Sequence, residues 1–506
     1  MAFGVFDGHS GGLCADLISR RLFHYIAIAL RALELRSSGA ASSVKPAFSV
    51  DILQKIARDH TKSPPDFYHN IHVVYEESIA ERLQARIEEF EWRSLEAFAI
   101  EELDYEDLPT TDDVDGSAKI ESALRRAFLA CDRDLSREIQ ANLLNTSSNV
   151  LLHYYLSLAI SGSCATVVIL YKNEAFIASA GDTKAVMGTL KQAELKAEVP
   201  ESDSKVKPIT RKILKSTELS FEHNSENIKE LNRLMSEHPK DEQNYIIREN
   251  RLLGSLMPLR AFGDFSFKWS VEKMKQLGIT RAFGSHIIPT HYKTPPYLTA
   301  EPEITKLSLV EDADECAGEE DTIQLDRFII LATDGLWEQF EGARKVVQAV
   351  NRYRQNVQQQ IDAFTSANLF KFDDSKDGDS KDLEEDSDND DSPLTIGKIV
   401  DRLRKKVTDP PAAIFERITA DDDLIEDINC GTYLLRTALS DTSAGGLTSD
   451  GELAYEEEEK EKFSHHEDQY EQQRKRHDKL VGFLTLPQSV VRNFRDDISL
   501  IVIGLK

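Results

Sequence analysis

The sequence has fewer basic than acidic residues, and it has no long apolar run. Its 506 residues include 61 Lys and Arg against 88 Asp and Glu, which gives a formal net charge of −27. Because proteins bind phosphate backbones through a basic face, this balance argues against nucleic acid as a partner. No apolar run reaches the roughly 18 residues that cross a bilayer, so no membrane span is predicted. The apolar stretch at residues 151–160 is too short and is predicted to lie in the core.

Cysteines are few, and their spacing matches no metal-binding or redox motif. The sequence contains neither a C-x-x-C pair nor the ligand spacing of a zinc site. We therefore expect reduced, mostly buried thiols in an intracellular protein. Neither a signal peptide nor an Arg-rich transit segment is predicted at the N-terminus, and no internal repeat is evident. The five cysteines are Cys14, Cys131, Cys164, Cys316 and Cys430.

Three aspartates stand where runs of strand-forming residues stop. Asp7 follows residues 3–6, Asp334 follows residues 328–333, and Asp496 precedes the apolar run at residues 498–503. Carboxylates that converge at the open edge of a sheet repel one another, and a hard divalent cation relieves that repulsion. A single strand-end Asp is usually a turn or cap residue, but three of them predict a metal site.

The residues around these aspartates form six short motifs in one order. They are VFDGHSGG at 5–12, SGSCAT at 161–166, AGDTKA at 180–185, RAFGD at 260–264, ATDGLWE at 332–338 and RDDIS at 495–499. This set resembles the signatures of the metal-dependent Ser/Thr protein phosphatases of the type 2C class. Four further segments, at 21–27, 251–264, 267–270 and 292–303, are similar to the mitochondrial pyruvate dehydrogenase phosphatases within that class.

The resemblance implies an α+β fold, in which two packed, mostly antiparallel β-sheets are flanked by α-helices in a four-layer sandwich. It also implies one phosphatase domain over residues 1–506. Two acidic segments, at about 373–391 and 443–461, are predicted to be disordered insertions because they are rich in charge and poor in apolar residues.

The family places one or two strands before the first motif, which here begins almost at Met1. Those strands would carry an acid for the second metal and an Arg that grips phosphate. Neither residue is assigned here. Two explanations stay open: a longer coding sequence, or a chain that has lost part of its site.

Local patterns predict the main elements. Helices are expected over residues 13–29, 68–98, 118–144, 228–237 and 343–353, and a strand, turn and strand over residues 164–188. Residues 498–503 are predicted to be a strand that is buried on both faces.

The resemblance assigns a metal site to the first and last motifs. It implies two Mg²⁺ or Mn²⁺ ions, which prefer oxygen ligands. Asp7 would contact both ions, the carbonyl of Gly8 one of them, and Asp334 and Asp496 the other. The same resemblance makes His9 the general acid that protonates the leaving Ser or Thr oxygen.

Four other residues receive weaker roles. Glu338 stands where the family often has Asp, and could serve a third metal. Arg260 and Asp264 either brace the site or form a buried structural ion pair. Asp497 is expected to support the ligands without touching the metal.

The function implied by the resemblance is hydrolysis of phosphoserine and phosphothreonine on proteins. The implied substrate is the E1 component of pyruvate dehydrogenase, which would be activated in the mitochondrial matrix. A regulatory subunit and the lipoyl-bearing core, docked with Ca²⁺, are implied as partners. Two alternatives stay open: a phosphatase-like scaffold with an impaired site, and a serine hydrolase. The second depends on the G-x-S-x-G pattern at residues 8–12, with Ser10 as nucleophile.

Overall fold

The computed structural model describes residues 1–37, 77–105, 116–195, 209–309, 323–340, 342–369, 430–440 and 498–505. Asp496, Asp497, Cys316, residues 68–76 and both predicted acidic insertions lie outside these ranges. The chain divides into two compact units, Met1–Val347 with Thr437–Lys506, and Gln348–Arg436. The single-domain interpretation of residues 1–506 stays a prediction.

Helices occupy much of the described chain. In chain order they are α1 Leu13–Ser37, α2 Glu77–Asp104, α3 Gly116–Asn145, α4 Asn149–Ile160, α5 Ile228–Glu237, α6 Gln243–Ile246, α7 Val271–Gln276, α8 Ile279–Phe283, α9 Asp334–Gln339, α10 Ala343–Leu369 and α11 Cys430–Ser440. The helices predicted from the apolar period are confirmed, apart from residues 68–76. Helix α10 runs well past the predicted end at residue 353. None of the helices in the described ranges is long and apolar enough to cross a membrane.

The strands form two main sheets and one small hairpin. They are β1 Ala2–His9, β2 Gly162–Tyr171, β3 Glu174–Ala180, β4 Lys184–Leu195, β5 Ile209–Glu218, β6 Ile247–Arg248, β7 Arg251–Leu252, β8 Phe262–Gly263, β9 Glu303–Ser308, β10 Ile323–Ala332 and β11 Leu500–Leu505. The first sheet has the order β1-β2-β3-β9, with β8 also paired to β2, and the second has the order β11-β10-β4-β5. Strands β6 and β7 form the hairpin, and all named strand pairs are antiparallel.

The two main sheets pack face to face through one apolar cluster. Val5, Val168 and Ile177 belong to the first sheet, and Ile329 and Ile503 to the second. Side chains alternate between the two faces of a strand, so the members of this cluster from β1, β2, β3 and β10 are spaced two residues apart. The predicted α+β architecture of packed antiparallel sheets flanked by helices is confirmed.

Helices α1 to α4 cover the other face of the first sheet and share one large core with it. Charged groups are buried within this helical layer and are paired with each other. Nη1 of Arg21 donates to Oε2 of Glu138 over 2.6 Å, and the Tyr25 hydroxyl donates to Asp134 over 3.0 Å. Truncating one partner of such a pair would leave a buried charge alone, so the pair constrains how α1 and α3 pack.

The burial predicted for residues 498–503 is wrong in part. Ile503 is buried, but Leu500, Ile501 and Val502 are only half-buried. The reason is the position of β11, which is the outer strand of the second sheet as described. An outer strand has a neighbour on one side only, so an apolar sequence alone does not place it in the interior.

The second unit is described by parts of α10 and α11. The rings of Tyr353 and Tyr433 lie 5.3 Å apart between centroids, and Leu434 is fully buried.

Candidate metal centre

Three carboxylates converge where the two main sheets end. One carboxylate oxygen from each of Asp7, Asp182 and Asp334 lies within 4.8 Å of the others. The three side chains come from chain segments far apart in sequence, and all three residues are half-buried. The structure therefore brings together two of the three predicted aspartates and adds Asp182.

Strand ends place each of these side chains. Asp7 is near the end of β1, where it pairs in register with Cys164 of β2. Asp182 lies in the turn that connects the first sheet to the second, directly after Gly181, whose φ is +117°. Asp334 is the first residue of α9 and directly follows β10 and the cap residue Thr333. Both sheets thus contribute to one cluster.

The turn that carries Asp182 is fixed by a fully buried histidine. The backbone N–H of His223 donates to the carbonyl oxygen of Gly181 over 2.9 Å, and the His223 Nδ1 atom lies 3.1 Å from the Gly181 nitrogen. On the other side of Asp182, Lys184 forms an ion pair of 2.7 Å with Glu222. These contacts hold the aspartate in place without occupying its carboxylate.

The surroundings of Asp182 shift the pKa of its carboxyl in opposite directions. Burial raises its pKa above the usual range, while a hydrogen bond from the Cys164 thiol and the charge of His9 oppose that rise. Carboxylates that are close together and partly withdrawn from water are stabilised by a divalent cation. The donors are oxygen atoms only, which suits Mg²⁺ or Mn²⁺ better than zinc or copper.

Asp182 was not among the residues predicted from the sequence, although it lies in the recognised motif at residues 180–185. The signal that identified Asp7 and Asp334 was available there too. Residues 175–180 are strand-forming, and Gly181-Asp182 follows them directly. Applying the strand-end criterion to every Asp in the six motifs would have found it.

His9 is held by a carboxylate from a distant loop. The Nε2 atom of His9 lies 2.5 Å from Oδ2 of Asp264, and the Asp264 side chain is almost fully buried. Burial alone would lower the pKa of His9. The hydrogen bond and charge of Asp264, with Asp182 and Asp7 adding to them, raise that pKa above its ordinary value. These carboxylates therefore stabilise the protonated imidazole relative to the neutral one.

Two glycines make room for this pair. Gly162 pairs in register with His9 on one side and with Gly263 on the other. A Cβ atom on Gly162 would lie 2.0 Å from Oδ2 of Asp264 and 2.3 Å from Nε2 of His9. Gly263 and Asp264 both have positive φ, +70° and +46°, which turns the chain so that the carboxylate faces His9. The left-handed backbone of Asp264, a residue with a Cβ, is uncommon and is held by its N–H bond to the Ser161 carbonyl.

The remaining predicted residues have different surroundings. Gly8 lies beside Asp7, and a Cβ there would come within 3.0 Å of Ala15 in α1. Glu338 is exposed one helical turn after Asp334, outside the three-carboxylate group. Nε of Arg260 donates to the buried Glu230 carboxylate over 2.9 Å, and Nη1 of Arg260 donates to the Glu301 carbonyl oxygen over 2.7 Å. Of the pair Arg260 and Asp264, only Asp264 reaches a residue of the predicted site.

Similarity of the sequence to known protein families agrees with this geometry. Residues 81–371, more than half of the chain, match the family model described as Protein phosphatase 2C. The chain belongs to the protein phosphatase 2C family. It is a protein serine/threonine phosphatase of a metal-dependent family, as the six motifs predicted.

Relatives within this phosphatase 2C family point to one subgroup. Mitochondrial pyruvate dehydrogenase (acetyl-transferring) phosphatase 1 of Homo sapiens is 30% identical over 99% of this chain and 72% of its own length. Mitochondrial pyruvate dehydrogenase (acetyl-transferring) phosphatase 2 of Homo sapiens is 32% identical over 67% of this chain and 53% of its own length. Phosphatase 1 of that name from Saccharomyces cerevisiae is 27% identical over 66% of this chain and 49% of its own.

The serine-hydrolase alternative does not agree with the phosphatase 2C fold. Ser10 does lie between β1 and α1 with a positive φ of 55°. However, β1 is paired antiparallel to β2, whereas the nucleophile elbow belongs to the largely parallel sheet of α/β-hydrolases. Ser10 is exposed and is a turn residue between the carboxylate cluster and helix α1.

Proposed function

We propose that this phosphatase removes phosphate from serine on the E1 component of pyruvate dehydrogenase, and so activates it. The names of its relatives support the substrate, because the relative that aligns with 99% of the chain acts on pyruvate dehydrogenase by name. The convergence of Asp7, Asp182 and Asp334 is the observation that carries the chemistry. The mitochondrial names of the relatives support a matrix location. A regulatory subunit and the lipoyl-bearing core, docked with Ca²⁺, are proposed as partners.

The oxygen-only donor set fits Mg²⁺ or Mn²⁺, and we assign Asp7, Asp182 and Asp334 to hold it. Gly8 and Asp496 are proposed as further ligands of a two-metal site, and Glu338 as a ligand of a third ion. A divalent cation held there would acidify a bound water and neutralise phosphoryl charge. The protein contributes a preorganised set of carboxylates, whose mutual repulsion is relieved when the cation binds.

His9 is proposed as the general acid. Its imidazole lies beside the carboxylate cluster, and Asp264 holds it through the 2.5 Å contact at Nε2. An alkoxide leaving group such as that of serine needs a proton as the ester bond breaks, and a positioned imidazolium supplies it. Asp264 sets the orientation of the ring and favours its charged form, while Asp497 is proposed to support the ligands.

The decisive experiment measures phosphate release from a phosphoserine peptide of the E1 component, in Mn²⁺ and then in excess chelator. An unrelated phosphoserine peptide serves as the substrate control, and Asp334→Asn as the catalytic control. We expect metal-dependent release that is faster on the E1 peptide and absent in the variant. No release in Mn²⁺, together with an intact fold, would favour the scaffold alternative. Equal rates on both peptides would contradict the proposed substrate but not the chemistry.

A further inference from the structure

The turn that carries Asp182 connects the two main sheets. Strand β3 ends in the first sheet directly before residues 181–183, and β4 begins in the second sheet directly after them. The buried backbone groups of this turn need partners outside the strand ladders, because a buried N–H or C=O group without a partner is costly. His223 supplies the partners of Gly181 at one end of the turn. Side-chain hydroxyls bind the other end, at Thr183.

Three hydroxyl groups form a buried cluster beside this turn. They belong to Thr166 of β2, Ser179 of β3 and Thr183 itself, and each of these residues is at most 1% exposed. Oγ1 of Thr166 lies 2.8 Å from Oγ of Ser179 and 2.8 Å from Oγ1 of Thr183. It also donates to the carbonyl oxygen of Thr183 over 3.0 Å. Thr166 is therefore the centre of this hydroxyl cluster.

The hydroxyl cluster lies at one end of the apolar layer between the two sheets. Thr166 and Ser179 are opposite each other in the register of β2 and β3, two residues from Val168 and Ile177, which belong to that layer. Side chains two residues apart share a face of a strand, so both hydroxyls face the second sheet. Apolar side chains would fill this space without the cost of burying polar groups. We therefore look for the role of the hydroxyls in their bonds to Thr183.

The protons of the three hydroxyls are sufficient for every bond in the cluster. Each hydroxyl has one proton to donate and two lone pairs that accept. All three protons are used when Ser179 and Thr183 donate to Oγ1 of Thr166 and Thr166 donates to the Thr183 carbonyl. The side chain and the backbone carbonyl of Thr183 are then bound to the same atom on β2. The residue that follows Asp182 is thereby held against the first sheet.

We propose that the hydroxyl cluster of Thr166, Ser179 and Thr183 positions Asp182 in the metal centre, an inference that rests on the metal-dependent function proposed above. On the other side of Asp182, Gly181 has a φ of +117°, and glycine by itself restricts the backbone little. The cluster acts through the backbone that carries the carboxylate, and not through a bond to the carboxylate. Groups that orient metal ligands without touching the metal commonly change metal affinity by about 10–100-fold when they are removed.

Two variants of Thr166 separate the hydroxyl from packing. Thr166→Val replaces the hydroxyl with a methyl group of similar size, whereas Thr166→Ser keeps the hydroxyl and loses a methyl group. Mn²⁺ alone is titrated into the full chain at one temperature well below melting, and free Mn²⁺ is measured by electron paramagnetic resonance. We expect Thr166→Ser to be half-saturated at a Mn²⁺ concentration close to that of wild type. For Thr166→Val we expect a concentration about tenfold higher.

Two controls accompany the titration. Thr189 is 6% exposed on β4, outside both the hydroxyl cluster and the three carboxylates, so Thr189→Val is the matched loss of a buried hydroxyl. This variant should bind Mn²⁺ as wild type does. Asp334→Asn measures the Mn²⁺ that binds elsewhere on this acidic protein, and its binding is subtracted.

Wild-type affinity for Mn²⁺ in a folded Thr166→Val protein would overturn the proposal. So would a Thr166→Ser protein that is shifted as far as Thr166→Val, since packing would then explain both. If Thr166→Val does not fold, Thr183→Val decides, because it removes one of the two bonds between Thr183 and Thr166. A raised half-saturation concentration in Thr183→Val would support the role of the cluster, and the wild-type value would overturn it.

The same titration separates this proposal from the function on which it rests. A wild-type chain that binds no more Mn²⁺ than Asp334→Asn would overturn the metal centre and the role of the hydroxyl cluster together. A wild-type chain that binds more than Asp334→Asn, with unchanged affinity in Thr166→Val, would overturn only the role of the hydroxyl cluster.

Discussion

The Nε2 atom of His9 lies 2.5 Å from the Oδ2 atom of Asp264, although 255 positions separate the two residues in the chain. The contact crosses from the end of β1 to the loop after β8, over the face of Gly162. It joins the first motif of the sequence to the fourth. The proposed general acid is therefore oriented by a group whose position depends on the pairing of three strands.

His9→Ala should slow substrates with poor leaving groups most. A serine alkoxide needs a proton as it leaves, whereas an activated aryl phosphate does not, so the loss of a positioned acid affects the first far more. We expect about a hundredfold or larger loss on a phosphoserine peptide and a much smaller one on p-nitrophenyl phosphate. The measurement is the ratio of the two rates in saturating Mn²⁺. An equal loss on both substrates would show that His9 does not act as the acid.

Gly162→Ala should disrupt the pair between His9 and Asp264. The added methyl group would lie 2.0 Å from Oδ2 of Asp264 and 2.3 Å from Nε2 of His9, so one of these side chains must move. We expect a destabilisation of about 1–3 kcal/mol and a loss of activity on phosphoserine peptide. Gly504→Ala is the matched control, because no atom of the described residues lies within 4 Å of a Cβ there. Urea unfolding compares the two, and wild-type stability and activity in Gly162→Ala would contradict the assigned packing.

Asp334→Asn should abolish activity while the fold is retained. The substitution removes one ligand charge and little volume. We expect activity to fall by more than about a hundredfold, which exceeds the usual effect of groups outside the ligand shell. In excess chelator the variant should be at least as stable as wild type, because one repulsive charge has left the cluster. Thermal unfolding with and without Mn²⁺ measures this, and wild-type turnover in the variant would refute the metal assignment.

Stability in excess chelator should depend on pH through His9. The folded protein raises the pKa of His9 above its unfolded value of about 6.5. A raised histidine pKa adds stability that is complete below the unfolded pKa and is lost as pH rises through the folded pKa. The free energy of unfolding of wild type relative to His9→Gln should therefore be largest below about pH 6.5.

The same experiment has an internal control in Asp264→Asn, which removes the charge that raises the pKa of His9. The pH-dependent difference should shrink in that background. Its persistence at full size would mean that another group titrates over the same range.

Much of the site could be predicted from short patterns in the sequence. Asp7 and Asp334 were recognisable because a strand that stops at an Asp before Gly is a local signal, and both join the cluster. The helix at residues 228–237 was predicted to the residue, since its apolar period is also local. The role of Arg260 could not be resolved in this way. Its partner Glu230 lies 30 positions earlier, and no pattern in either segment indicates the pair.

The amino-acid sequence by itself determined the family and the strand ends that supply Asp7 and Asp334. Those properties depend on residue type and on neighbours within a few positions. Only the tertiary structure decided that Asp182 joins Asp7 and Asp334 and that Asp264 holds His9. Each of these depends on which strands pair and in which register, and a register links residues that are remote in the chain.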